Sequence, residues 1–317
     1  MNKSIFSSVW FAAIGLVSLA ALGACKKDKM KERIVKPTPK STLGVYVLTE
    51  GAFGQANKSE ISYYDMATKA VDKSYFKTKN GTDLGTAASD LKQYGSKMYC
   101  VLTGLKDAPN DSFLEVISIA TGKSVKRIPF SGANGDLSPR FIVFNKNKAY
   151  VSGYTGTISR IDTAALTIEA QINTGGALEE MAIVNNKLYV ANSDNFQYPS
   201  ANKASVTVVD LNSFTKLKEI PVGYNPTRIA ANEAGELFVL TKGDYTPVNE
   251  PSLDKINTIT DTKVGTNALS LEFLKITGSQ SFVIGDFSDP FLKTINLSTG
   301  AAGNNFITDA RVISLTY

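Results

Sequence analysis

Beyond residue 42 the chain is written in short stretches, about five residues each, in which apolar and polar positions alternate or apolar residues run on, and Gly, Asn, Asp, Ser or Pro separates each from the next. Alternation with a period of two places one set of side chains on each face of a strand, so these stretches predict β-structure. No long stretch keeps the 3.6-residue period of an amphipathic helix.

The stretches repeat. Lys97-Met98-Tyr99-Cys100-Val101, Lys148-Ala149-Tyr150-Val151-Ser152, Lys187-Leu188-Tyr189-Val190-Ala191 and Glu236-Leu237-Phe238-Val239-Leu240 align in one column, joined by Val45-Tyr46-Val47-Leu48 and Ser281-Phe282-Val283-Ile284. A second column holds Tyr64-Asp65, Ile161-Asp162, Val209-Asp210, Ile256-Asn257 and Ile295-Asn296, in each of which an apolar strand ends in Asp or Asn before a turn with Ser or Thr. Those acids and amides suit the place because their side chains accept hydrogen bonds from backbone amides across a turn. The fullest unit, 139–174, resolves into strands at 140–144, 149–153, 157–161 and 168–172. Four short antiparallel strands recurring at roughly forty residues predict an all-β fold, a β-propeller of four-stranded blades. Six units are visible, at 44–78, 88–132, 139–174, 179–223, 226–265 and 269–307. The first begins at its second strand. Arg311-Val312-Ile313-Ser314-Leu315 either completes that first unit or opens a seventh.

The first 42 residues have another character. Lys3 precedes an apolar run from Ile5 to Ala21, too short and interrupted for a comfortable membrane span. The run ends in Leu22-Gly23-Ala24-Cys25, which resembles the bacterial lipobox. That resemblance implies a signal peptide over 1–24 and lipidation of Cys25, with several acyl chains anchoring stably where one would be marginal. Residues 25–42 then read as a charged, Pro-containing tether without apolar period, and 43–317 as the propeller domain.

Charge follows this division. The chain carries 34 basic and 29 acidic residues, net +5, but eight of the bases and two of the acids lie before Ser41, leaving the domain at −1. No basic face for nucleic acid is expected. Cys100, alone once Cys25 is lipidated, is expected as a buried strand thiol.

Three stretches resemble the YncE-like (YVTN-repeat) β-propeller surface lipoproteins of Gram-negative bacteria. They are Val45-Tyr46-Val47-Leu48-Thr49-Glu50-Gly51 with Ser62-Tyr63-Tyr64-Asp65, Ser138-Pro139-Arg140-Phe141 through Lys148-Ala149-Tyr150-Val151, and Glu179-Glu180-Met181 through Pro221-Val222-Gly223-Tyr224-Asn225-Pro226. The resemblance implies an outer-membrane, surface-exposed lipoprotein. It implies a seven-bladed plan, so the chain is expected to carry an incomplete last blade rather than form a six-bladed ring. It also implies capture of a ligand, cobalamin in the best-understood members, for a TonB-dependent transporter. An envelope scaffold is the alternative, and a polysaccharide hydrolase or lyase the more distant one.

The residues narrow the chemistry. The chain has no histidine, which removes Ser-His-Asp and Cys-His nucleophile systems and most zinc sites. No catalytic set, metal site or cofactor is expected. Thr121-Gly122-Lys123-Ser124 lacks the earlier glycine of a phosphate loop and reads as a turn. Binding is expected in the loops after each second strand, 49–58, 103–112, 192–203, 241–251 and 285–290, where Phe53, Phe196, Tyr198, Tyr245 and Phe287 supply aromatic bodies that either meet a ligand or pack on their own loops. Ser138-Pro139-Arg140 and Asn225-Pro226-Thr227-Arg228 each carry Arg at the start of a first strand, with Glu179 at the matching place in the fourth unit. Arg140, Arg228 and Glu179 therefore either contact a ligand at the channel mouth or pair with one another and hold the blades in register.

Overall fold

In a computed structural model the structure describes residues 42–305, apart from Phe53, Asp107, Pro109, Ala133, Asn134, Phe287 and Ser288. The expected signal peptide, Cys25 and its tether, and the 311–315 strand lie outside the described residues.

The described residues form a β-propeller of six antiparallel blades. Blade one holds β1 (Gly44–Thr49), β2 (Glu60–Asp65) and β3 (Val71–Asp72), followed by a short helix α1 (Tyr75–Asn80) that the sequence pattern does not announce. Blade two holds β4 (Ala88–Tyr94), β5 (Lys97–Leu102), β6 (Phe113–Ser118) and β7 (Ser124–Pro129). A two-stranded ribbon, β8 (Ser131–Gly132) and β9 (Gly135–Asp136), leads to blade three: β10 (Pro139–Asn145), β11 (Lys148–Gly153), β12 (Thr157–Asp162) and β13 (Thr167–Asn173). Blade four is β14 (Ala177–Val184), β15 (Lys187–Ser193), β16 (Ser205–Asp210) and β17 (Thr215–Pro221). Blade five is β18 (Pro226–Ala231), β19 (Leu237–Thr241), β20 (Ser252–Asn257) and β21 (Thr262–Asn267), and blade six β22 (Leu271–Thr277), β23 (Gln280–Gly285), β24 (Leu292–Ile295) and β25 (Ala302–Asn305). These blades fall on the six units of the sequence repeat. Blade one has three strands and begins at the second, as the repeat predicts.

The core lies between blades. Tyr99, Val101, Leu114 and Val116 of blade two pack against Ile142, Ala149 and Val151 of blade three, and Tyr189, Val206 and Val208 of blade four against Ile229, Leu237 and Val239 of blade five. Cys100 is fully buried between blades one and two, and burial pushes its thiol well up. Each blade thus has both faces apolar, which is why its second strand reads as an apolar run.

The acid-ended turns behave as their chemistry dictates. Asp65, Asp162, Asn257 and Asn296 each accept the backbone N–H groups two and three residues on, for example Ala164 at 2.9 Å and Ala165 at 2.7 Å from Asp162. Four residues after each acid or amide the backbone is left-handed, at Lys69, Leu166, Phe214, Asp261 and Gly300, and Gly122 does the same in blade two. Lys148 adds a charged bond to Asp162 at 2.8 Å. Led by that bond, the three donors depress the Asp162 pKa to about 2 from an ordinary 3.8. A depressed carboxylate stabilises the fold above its unfolded pKa and loses that contribution as pH falls through the folded value. Stability is therefore expected to fall between about pH 4 and pH 2. Asp162→Asn, which keeps the turn as Asn257 does, flattens that slope in a melting series across the window.

Candidate functional site

The first strand of every complete blade lines the channel, and each carries a bulge at the same place. The pairings Ala88↔Leu102, Pro139↔Gly153, Leu178↔Asn192, Pro226↔Thr241 and Leu271↔Gly285 are each followed by a register shift. An extra residue in one strand bends it and turns a side chain away from the ladder. The bulge aligns Ser89, Arg140, Glu179, Thr227 and Glu272 as one ring of positions, and Asp90, Phe141, Glu180, Arg228 and Phe273 as the next. Glu179 is thus the counterpart of Arg140, as the sequence suggests. Arg228 is not: Thr227 matches Arg140, and Arg228 matches Phe141. The shared Pro and Arg hide an offset of one residue, because Thr227 intervenes in one copy only.

Because first and second strands are antiparallel, the loop after the second strand and the entry to the first lie at the same end of each blade. At this end Arg140 Nε meets Glu179 Oε2 at 3.2 Å, both side chains nearly buried. Glu179 Oε1 accepts Tyr154 OH at 3.0 Å and the Ser193 hydroxyl at 3.5 Å. The Arg140–Glu179 pair therefore bridges blades three and four. Cations and rings then alternate outward from the channel. Arg228 and Arg140 stand over Phe141 at 5.0 and 5.4 Å, Arg140 stands over Tyr154 at 4.6 Å, Tyr154 stacks on Tyr198 at 5.4 Å, and Lys106 covers Tyr198 at 5.2 Å. Tyr198 belongs to the blade-four loop and reaches Ser138 Oγ at 2.6 Å, while Lys106 of blade two holds the Gln197 carbonyl at 3.0 Å. That loop straddles blade three.

The next ring of positions is also engaged. Asp90 accepts the Ile142 N–H at 2.9 Å, and Glu180 accepts the Ile229 N–H at 3.1 Å. Each is a carboxylate of one blade taking an amide beside the bulge of the next, so these acids stitch blades together. Burial raises the Glu180 pKa, although Arg228 and Lys92 oppose it. Burial also works against the charge of Lys92, yet Asp90 and Glu180 outweigh it and the net shift is upward. Half-buried Glu50, at the end of β1, is raised by desolvation; Arg140 pulls it back and Glu179 pushes it further.

The predicted aromatic residues separate. Tyr198 is packed, whereas Phe196 is 84% and Tyr245 98% exposed, with Val248 88% exposed on the same loop as Tyr245. Phe53 and Phe287 lie outside the described residues. Asn192, assigned to a loop by sequence, is the penultimate residue of β15 and fully buried, its amide donating to Ser205, Thr207 and Glu219. Loop acids are occupied as well: Asp244 accepts Thr246 Oγ1 and Asn249 Nδ2 within its own loop, and Asp194 bonds Tyr224. Tyr154, Asp90 and Lys92 lie outside the sequence-derived candidates, while Ser138, Glu50 and Lys106 fall in the entry turn and loops that the sequence marks. Glu50 and Tyr154 carry a positional signal: each follows the last residue of its second strand, one place beyond the column that sequence alignment displays.

Among the described residues no cluster of three or more acids and cysteines is placed to hold a metal. Residues 43–283 match the family described as "Domain of unknown function (DUF5074)". No curated protein matches the chain. Among solved structures, a chain of the mitotic checkpoint complex is 13% identical with a TM-score of 0.61, covering 99% of this chain and 92% of that one. BamB from Moraxella catarrhalis is 15% identical with a TM-score of 0.50, over 84% and 74%. Hydrazine synthase from Kuenenia stuttgartiensis is 15% identical with a TM-score of 0.49, over 64% and 54%, so the chain spans about half of that one. At such identities the likeness is one of fold.

Proposed function

We propose that this chain, which belongs to the DUF5074 family, is a non-enzymatic binding protein of the cell envelope. Lipid on Cys25 holds it to the outer membrane, and its loop face receives the ligand or partner. One observation carries the reading. At the channel mouth Arg140 pairs with Glu179 and Glu180 accepts a backbone amide, while Phe196, Tyr245 and Val248, on the loops of adjacent blades four and five, stand in solvent. Large apolar side chains exposed at loop tips on a rigid scaffold favour recognition by contact over chemistry at an open acid.

The resemblance to surface lipoproteins suggests a large nutrient, cobalamin first, passed to a TonB-dependent transporter. The lipid-free chain from Lys26 is expected to co-elute with cobalamin on a sizing column, seen by corrin absorbance. Phe196→Ala with Tyr245→Ala is expected to weaken that complex about tenfold or more, the scale of losing a central aromatic contact, with the melting temperature unchanged. Failure of the folded chain to bind cobalamin removes that ligand. If a candidate transporter then binds, and the same variant abolishes that binding, the face is a protein-docking surface.

A further inference from the structure

The first strands of blades two to five carry three cations, Lys92, Arg140 and Arg228. Two of them hold acceptors. Arg140 bonds Glu179 at 3.2 Å, and Lys92 bonds the Ile142 carbonyl at 2.8 Å and pairs with Asp90 at 3.1 Å. Arg228 makes no hydrogen bond or ion pair among the described residues; it stands over Phe141 at 5.0 Å. The aromatic ring attracts the charge but offers no oxygen to the N–H groups. Glu180 is near enough to feel that charge, yet its Oε2 accepts the Ile229 N–H at 3.1 Å. Asp90 likewise accepts the Ile142 N–H at 2.9 Å. The two acids are thus engaged by backbone amides of the next blade, and the cations keep unused donors: one of the three on Lys92 and all of those on Arg228. The Thr227 hydroxyl beside Arg228 is a further donor, buried and without a partner among the described residues. The space between these side chains is open. The Lys92 side chain is 31% accessible, and Glu180 and Arg228 are half-buried although they sit on channel-lining strands.

We propose that Arg228 is the anchor of a ligand site inside the channel, where its planar fork takes the carboxylate of a small organic acid and the unused N–H of Lys92 faces the same group. Asp90 and Glu180 balance Lys92 and Arg228 in charge, but the four side chains together hold more donors than acceptors, and an oxyanion corrects that. Lys92 and Arg228 are also close enough to repel one another, and an anion between them relieves the repulsion. Charge selects a carboxylate over a phosphate. Burial already works against the Glu180 carboxylate, so a dianion brought beside it meets about twice the repulsion of a monoanion. The site lies one ring of positions beyond the Arg140–Glu179 pair and uses none of the loop-tip residues, so it is independent of the proposed binding face.

Benzoate is the probe, with benzamide as its uncharged isostere. By calorimetric titration at constant ionic strength, the full chain is expected to bind benzoate and to bind benzamide about tenfold more weakly or less. Arg228→Gln is expected to lower the benzoate affinity about tenfold, whereas Phe196→Ala with Tyr245→Ala leaves it unchanged. The unaltered chain gives a second readout that needs no variant to fold. Phenylglyoxal, which modifies unpaired guanidinium groups, is expected to label Arg228 faster than Arg140, as read by mass spectrometry of the digested peptides. Benzoate at about ten times its dissociation constant is expected to slow the labelling of Arg228 about tenfold, and benzamide is not. Equal binding of the two probes, no binding of benzoate, a folded Arg228→Gln protein that binds benzoate normally, or labelling of Arg228 that benzoate does not slow would each overturn the proposal. Stronger protection by inorganic phosphate than by benzoate would overturn the assignment to a carboxylate.

Discussion

Arg140→Ala is expected to lower the stability of the propeller by about 3–5 kcal/mol. The guanidinium is almost wholly out of water and bonds Glu179 across the boundary between blades three and four. Removing it leaves Glu179 desolvated, with only Tyr154 and Ser193 donating to it. It also removes the cation between the Phe141 ring and Tyr154, the ring on which Tyr198 stacks. The cost belongs to the stranded partner rather than to the pair, so Arg140→Met with Glu179→Leu is expected to recover most of the loss. Chemical denaturation of the three proteins decides this: a single variant as stable as the double would show that the pair does not bear on folding.

Asp254→Ala is the second large loss, about 3 kcal/mol, with Asp254→Asn at roughly half of that. Asp254 is completely buried on β20. Its carboxylate accepts the Gly223 N–H at 2.7 Å and the hydroxyls of Thr266 at 2.7 Å and Ser252 at 3.3 Å, and Lys263 lies at 3.4 Å. The alanine variant leaves the Gly223 amide and the buried Ser252 hydroxyl without this acceptor, whereas the exposed Thr266 and Lys263 turn to water; the asparagine keeps an acceptor but loses the charge. The residue belongs to a cross-strand series: Glu115 faces Arg127, Ser159 faces Gln171, Thr207 faces Glu219 and Asp254 faces Thr266, each pair on the third and fourth strands of its blade. Melting temperatures of the two variants provide the check, and a loss no larger for alanine than for asparagine would contradict this role.

The fold was legible because two local rules repeat. Period-two apolar stretches mark strands, and Asp or Asn at strand ends marks turns whose backbone amides those side chains satisfy, so the six units align on these two columns. The 75–80 helix was not legible: one turn and a half carries no period, and its stop, the left-handed Gly81, looks like any loop glycine. The mouth was half legible. Arg140 and Glu179 were visible as counterparts because both sit on the bulge, whereas Arg228 was misplaced by one residue because alternation does not reveal a bulge. Phe196 and Tyr198 are two residues apart in one loop, yet one is solvated and the other packs on another blade. That difference depends on Tyr154, Ser138 and Lys106, contributed by blade three, its entry turn and the blade-two loop. The buried acids Glu115 and Asp254 were hidden for a related reason: their partners lie on the neighbouring strand, where only register brings them together.

The account divides the mouth into charged residues that hold the blades and loop-tip apolar residues that bind. The measurement that tests this division most directly is a side-by-side comparison of unfolding free energy and ligand affinity for Arg140→Met with Glu179→Leu and for Phe196→Ala with Tyr245→Ala, using cobalamin or, failing it, the transporter that binds. The account predicts that the first protein keeps its affinity and that the second keeps its stability while losing affinity about tenfold. Lost affinity in a stable first protein, with the loop-tip variant binding normally, would contradict it and place the ligand on the guanidinium.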